Sequence, residues 1–241
     1  MNTLRILLLA VVVTGCAQVG PQSNMRHHSV IGQPAKLKNS LVLMPLDVEV
    51  IELGVTSVEE VPEWTERARQ SLGSALTTLD SERADLRLRP MPKLSRKQQA
   101  VVDEHVGLFN VTAGAALWAT QFGGQPWNHK TERFDYTIGP GLKFFSKKAR
   151  SRLAMFVMAE DQISSGGRVA AGVATAILFG AAPAAGISTT IVGVVDLHTG
   201  DILWIDYLAN AGGRDLRDPD DAYKMMRDLL EGYPNDVAQA D

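Results

Sequence analysis

Apolar positions along this chain repeat with two periods, and switches between them divide it into elements. Leu41-Val-Leu-Met-Pro-Leu46 is apolar on both faces, then gives way to an alternation of Val48 and Val50 against Glu49 and Glu52. That pattern predicts a strand that enters a sheet at its centre and leaves it exposed. Trp64, Ala68, Leu72, Ala75, Leu76 and Leu79 follow at helical spacing behind Pro62, an amphipathic helix. Asp85-Leu-Arg-Leu-Arg-Pro90 alternates at period two and predicts a short strand near an edge. Ser95 with Gln98 forms a capping-box pattern at the head of a second stripe, Val102, Val106, Phe109, Ala113 and Leu117, which Gly107 and Gly114 are expected to break in two.

The second half repeats the theme. Leu153 to Ala159 is a continuous apolar run that ends at Glu160-Asp161, a buried strand. Thr189 to Leu197 and Ile202 to Leu208 flank His198-Thr-Gly-Asp201, where Gly200 supplies the left-handed residue of a short hairpin loop. Asp218 is placed as an N-cap with Pro219 at the first helical position. Ala222, Met225, Met226, Leu229 and Leu230 form the stripe of a last helix. Strand, helix, strand, helix, strand, helix, hairpin, helix predicts a single mixed α/β domain, with helices packed on one mixed sheet and a C-terminal β-hairpin plus helix.

Residues Val169 to Val195 carry no charge and raise the question of a membrane crossing. Six strongly apolar residues in the window 169–187 contribute roughly 2 to 4 kcal/mol toward insertion, marginal for a span. Pro183 and Gly186 break the run, and its second half is rich in Thr, Ile and Val. A buried Ala-rich helix, a turn and the first strand of the hairpin are expected instead.

The amino terminus is a different case. Arg5 precedes an eight-residue apolar core, Ile6 to Val13, the length of a secretory signal rather than of a bilayer span. Val13-Thr14-Gly15-Cys16 resembles the bacterial lipobox. That resemblance implies a cleaved signal over 1–15 and acyl chains (diacylglycerol and palmitate) on Cys16. With Ala17 next, it implies sorting to the outer membrane of Gram-negative bacteria, facing the periplasm. Several acyl chains hold far more firmly than one. Residues 16–39, with Pro21, Pro34 and His27-His28, read as a flexible tether; 40–234 as the periplasmic domain; 235–241 as a polar tail.

Composition narrows the chemistry. Cys16 is the sole cysteine, so lipidation leaves none for a disulfide or a nucleophile. Without residues 1–15, 23 Lys+Arg face 27 Asp+Glu (24 − 1 against 27), a balance of −4 with no signal for nucleic acid. The chain has no GxSxG, HExxH, GxxxxGK[ST] or GxGxxG, so no catalytic residue, metal or cofactor is assigned. A triad built in space on His105, His129 or His198 stays open. His27-His28 read as a solvated linker or half a metal site. The acids Asp215, Asp218, Asp220 and Asp221 read as helix capping or, without EF-hand spacing, a calcium site. The triplets Gly166-Gly167-Arg168 and Gly212-Gly213-Arg214 read as turns or anion nests.

Two stretches remain as interaction candidates. Residues 123–141 form a long loop rich in Gly, Pro and aromatics, either functional or packed through Trp127 and Tyr136. Lys143, Lys147, Lys148, Arg150 and Arg152 form a run without an acid, either a solvated helix face or a contact for anionic headgroups, glycan-linked anions or an acidic partner.

With the lipobox, the order of elements and the Val195-Asp-Leu-His-Thr-Gly-Asp-Ile-Leu-Trp204 hairpin resemble the periplasmic α/β domains of small Gram-negative lipoproteins. Examples are the curli-secretion lipoprotein, the lipoprotein activators of penicillin-binding proteins and the amino-terminal domain of the Tol translocation protein. The resemblance spans residues 40 to 232 in element order and, in residues, the hairpin. It implies a non-enzymatic, membrane-anchored binding or assembly factor for envelope proteins or peptidoglycan. A pore or secretion-complex subunit and an envelope hydrolase are the alternatives; the chain shows no pair of long alternating hairpins for a barrel wall.

Overall fold

Leu153–Ser164, the longest strand, organises the molecule. In the computed structural model, which describes residues 25–120, 130, 133–167, 169, 186–211 and 214–234, the strands are β1 (Met25–Arg26), β2 (Leu41–Leu43), β3 (Asp47–Leu53), β4 (Val58–Glu60), β5 (Leu88–Arg89), β6 (Leu153–Ser164), β7 (Ile187–Asp196) and β8 (Ile202–Ala211). They form one eight-stranded mixed sheet in the order β1-β8-β7-β6-β2-β5, with β3 between β6 and β4. The helices are α1 (Pro62–Glu82), α2 (Arg96–Thr120), α3 (Lys143–Ala149) and α4 (Pro219–Leu229).

Alternation along β6 builds two cores. Leu153, Met155, Val157 and Ala159 face α1 and α4, while Ala154, Phe156 and Met158 face α2 and α3. The sheet is therefore buried on both faces, which is why β6 reads as a continuous apolar run. β6 extends past the predicted end at Glu160-Asp161 because Asp161 is satisfied inside the fold. Its carboxylate accepts from Ser188 Oγ at 2.5 Å and from the Leu216 N–H at 2.9 Å.

The predicted 41–50 strand is two strands on one edge of β6. Leu43 pairs with Met155 and Asp47 with Met158, so three intervening residues of one strand oppose two of the other. Pro45, which has no N–H, sits in this one-residue irregularity. The extra residue reverses the side-chain parity, so that Leu41, Val48 and Val50 all reach the core under α1.

α1 and α4 bury the predicted stripes, and Asp218 Oδ1 accepts from the N–H groups of Asp220 (2.9 Å) and Asp221 (3.1 Å). The Ser95–Gln98 capping box is formed at 3.2 and 3.3 Å. Contrary to expectation, α2 is continuous through Gly107 and Gly114. Each glycine costs a helix about 1 kcal/mol, which the packing of Phe109, Ala113, Ala116 and Leu117 outweighs. The β7–β8 hairpin forms as predicted, with Gly200 at φ 79°.

The flexible tether expected over 16–39 does not extend over 25–39. Residues 25–39 belong to the domain: β1 pairs with β8, Val30 and Leu37 are buried, and the Tyr233 hydroxyl donates to the Leu37 carbonyl at 2.5 Å. Arg26 donates to the carbonyls of Gly232 and Pro234, both at 3.0 Å, which joins this segment to the end of the chain. Cys16, His129, residues 123–129, 131 and 132 of the long loop, the stretch 170–185 in which an Ala-rich helix is expected, and the tail after 234 lie outside the described residues. Among the described residues no helix is long and apolar enough to cross a membrane.

Candidate functional site

The two ends of the sheet differ in chemistry. At one end lie the start of β6, the β7–β8 hairpin tip, α3 and the head of α2. Here a 3-10 turn over Pro140–Leu142 leads into α3, and Arg150 ends that helix in the left-handed region at φ 51°. Leu142, Phe145 and Ala149 face the core, so spacing alone turns Lys143, Lys147, Lys148 and Arg150 outward. All five residues of the basic run are exposed, Arg152 among them.

The structure adds residues that the sequence reading missed. Lys148 Nζ donates to Gln98 Oε1 at 2.8 Å, which sets α3 against the first turn of α2 and its exposed Arg96 and Lys97. The signal was present in the chain: residues 86–102 hold five basic residues and no acid. Local energetics separate the two groups. Lys147 and Lys148 sit in the last turn of α3, where the helix dipole favours them. Arg96 and Lys97 sit in a first turn, where it opposes them by several tenths of a kcal/mol each. Helix stability therefore does not account for the pair at the head of α2.

Beside this surface opens a cleft of about 380 Å³, lined by His27, Lys36, Arg152, Asp196, Thr199 and Asp201 among others. Arg152 donates to Asp196 Oδ2 at 2.8 Å, while Asp196 Oδ1 accepts the His198 N–H at 2.8 Å, so one buried carboxylate holds the hairpin loop and a rim arginine together. The pairing raises the Arg152 pKa. Lys36 Nζ donates to the Ser29 carbonyl at 2.7 Å. His27 Nδ1 lies 2.8 Å from Ser29 Oγ, and burial, with the neighbouring His28 charge, pushes its pKa down.

Among the described residues the histidines bond neighbouring side chains or backbone. His198 Nε2 lies 3.0 Å from Ser146 Oγ, but Ser146 is on the buried face of α3, and no carboxylate hydrogen-bonds the His198 ring among the described residues. His105 Nδ1 bonds the Val101 carbonyl at 2.7 Å, and its ring lies against Gly141. His28 is bonded by Arg133. Among the described residues no three His, Cys, Asp or Glu side chains gather for a metal. Of the acidic cluster, Asp218 caps α4, Asp221 accepts from the Asp215 N–H, and Asp215 is chelated by Arg217. Arg214 pairs with Asp228 at 2.5 Å. Arg168, Gly212 and Gly213 lie outside the described residues. Tyr136 is half-buried and packs on Phe134, with Lys130 over its ring.

No protein-family model matches this chain, and no curated protein matches it. Among solved structures, it is similar to the PelC dodecamer from Paraburkholderia phytofirmans, at 8% identity and a TM-score of 0.34, covering 82% of this chain and 89% of that one. A single-substitution variant of the same dodecamer matches at 10% identity and a TM-score of 0.34, covering 82% and 88%. A likeness of this size is too low to carry over a fold or a function.

Proposed function

We propose that this protein is a lipid-anchored, non-enzymatic binding or assembly factor of the cell envelope, held at the outer membrane through Cys16, which docks an anionic partner on its basic end. The partner class is an acidic face of an envelope protein or the carboxylates of peptidoglycan. The carrying observation is the convergence of two acid-free runs, separate in sequence, into one exposed surface of Arg96, Lys97, Lys143, Lys147, Lys148 and Arg150. Exposed cations give little to folding stability, so a cluster of six on one surface supports a role in association. The adjoining cleft supplies the shape that a flat charged patch lacks, with Arg152 and Lys36 on its rim.

Crosslinking in intact cells tests the reading. A photocrosslinker at position 147 should capture a discrete envelope partner, and the charge reversal Lys147→Glu, Lys148→Glu, Arg150→Glu should lower the yield at least about tenfold, as for loss of more than 1.4 kcal/mol. An unchanged yield removes the basic surface from function. A large ring in detergent would favour the pore subunit, and turnover of peptidoglycan or esters would favour the hydrolase.

A further inference from the structure

The opposite end of the sheet gathers apolar side chains where a periplasmic surface would carry polar ones. Leu53 pairs with Ser164 and Ile187 with Ala211, so the ends of β3, β6 and β8 and the start of β7 share this end. Val55 and Val58 protrude from the β3–β4 hairpin, 66% and 67% exposed, with Val169 at 51% and Ile187 at 41%. The Ser165 N–H donates to the Leu53 carbonyl at 2.9 Å, and a Cβ at Gly167 would lie 3.5 Å from Val55 Cγ2, which brings Val169 toward the hairpin. α2 runs in the direction of β6, from Gln98 beside Lys148 to Asn110 bonded to Asp47, and Trp118 follows eight residues, about 12 Å, further toward this end.

Two features of the chain say what this end meets. Residues 170–185, which leave after Val169 and return at Gly186, contain no charged residue. β1 is antiparallel to β8, with Met25 opposite Ile205 and Arg26 opposite Trp204, so the chain enters the domain at Met25 from the Ala211 side. Cys16 lies nine residues upstream (25 − 16), a reach of up to about 30 Å, whereas Ile205 to Ala211 spans only about 20 Å. An acylated Cys16 can thus sit at this end, with the basic end turned away.

We infer that the apolar end lies against the bilayer, with Val55, Val58, Val169 and Ile187 in contact with lipid. The inference rests on the reading of Cys16 as the anchor. Glu52, Glu59 and Glu60 flank the valines on β3 and β4, so the lipid surface that fits is zwitterionic, and anionic lipid opposes contact.

The test uses the full, processed protein extracted from membranes and reconstituted in phosphatidylethanolamine–phosphatidylcholine vesicles, with Val55→Cys or, as control, Lys147→Cys carrying an environment-sensitive fluorophore. Emission from position 55 should shift to the blue and be quenched by nitroxide-bearing lipid, while position 147 emits as in water. Added phosphatidylglycerol should reduce the shift. Water-like emission at 55 overturns the inference. So does a blue shift that lipid nitroxide leaves unquenched and that grows with protein density, since a second copy then covers the end. Mass spectrometry of the same sample reads the acyl chains on Cys16. Acylated protein with water-like emission at 55 sinks the membrane face alone. Absent acyl chains sink the anchor, and the label at 55 with added vesicles then still decides for or against the face.

Discussion

The basic end and the apolar end are built on the same sheet, yet the side chains they expose differ in kind: cations at one, valines at the other. At the basic end the apolar residues of α3 turn inward and the five cations of the run turn outward; among the described residues Lys148 bonds Gln98 and Arg152 pairs with the buried Asp196. At the apolar end Asp161, 1% exposed, is hydrogen-bonded within the core, while Val55 and Val58 face out beside the exposed Glu59 and Glu60. Burial pushes the Asp161 pKa up, although its two hydrogen bonds oppose the shift. A fold governed only by minimising exposed apolar surface would not leave Val55 and Val58 outward. The difference is the one expected if, as proposed, an anionic partner meets one end and lipid the other.

Each end is also pinned by one glycine, and these sites give the largest expected effects. A Cβ at Gly200 would lie 2.0 Å from the Gly139 carbonyl oxygen with φ at 79°, and one at Gly186 would lie 1.9 Å from the Gln162 carbonyl oxygen with φ at 113°. Gly200→Ala and Gly186→Ala are each expected to cost about 4 kcal/mol or more in thermal or urea unfolding. If Gly186→Ala is tolerated, the apolar end is not fixed by this turn.

Between the ends, Asp206 separates the stability of the sheet from the chemistry of its poles. It faces the core beside Val192, and burial pushes its carboxyl up to about 7 against the Tyr207 N–H and Arg26, which pull it down. The folded state therefore keeps a proton that the unfolded state loses near pH 4. The contribution to stability is fully present below that value and is lost as pH rises through about 7. Acidification from pH 8 to pH 5 should stabilise the protein by about 3 kcal/mol through this group. His27, whose pKa is lowered, acts in the opposite sense below about 6.5. The difference between the wild type and Asp206→Asn across a pH series of denaturant titrations isolates the carboxyl, and equal slopes would dismiss it.

A smaller effect is expected at the rim of the basic end. Arg152→Ala leaves the buried Asp196 carboxylate without its cation, though the His198 N–H remains, and should cost about 1 to 2 kcal/mol. The smallest effects sharpen the contrast most. Val55→Lys and Lys147→Glu should each change unfolding free energy by less than about 0.5 kcal/mol, because neither side chain is buried. Val55→Lys should act on lipid contact alone and Lys147→Glu on partner capture alone. A substantial loss of stability in either would mean that the residue serves the fold.

Much of the fold was legible because it is local. Helical spacing located α1 and α4, the Ser95–Gln98 box marked the head of α2, and Gly200 marked the hairpin. What escaped depends on partners distant in sequence. Nothing near Leu37 announces that Tyr233 will donate to its carbonyl, and β1 has only two residues, too few for a period. The β3–β4 hairpin escaped because Val58-Glu59-Glu60 is fully exposed and shows no apolar alternation. The basic surface was half visible: residues 143–152 stood out as an acid-free run, whereas Arg96 and Lys97 joined them only through the docking of α3 on α2.

By itself the sequence determined the class of fold, the starts of α1, α2 and α4 and the hairpin, since these follow from side-chain period, capping residues and residues that only certain backbone angles admit. It also carried the expectation of an anchor at Cys16. The tertiary structure decided which residues share an end. That depends on strand order and on the one-residue irregularity at Pro45, non-local pairings that no window along the chain contains.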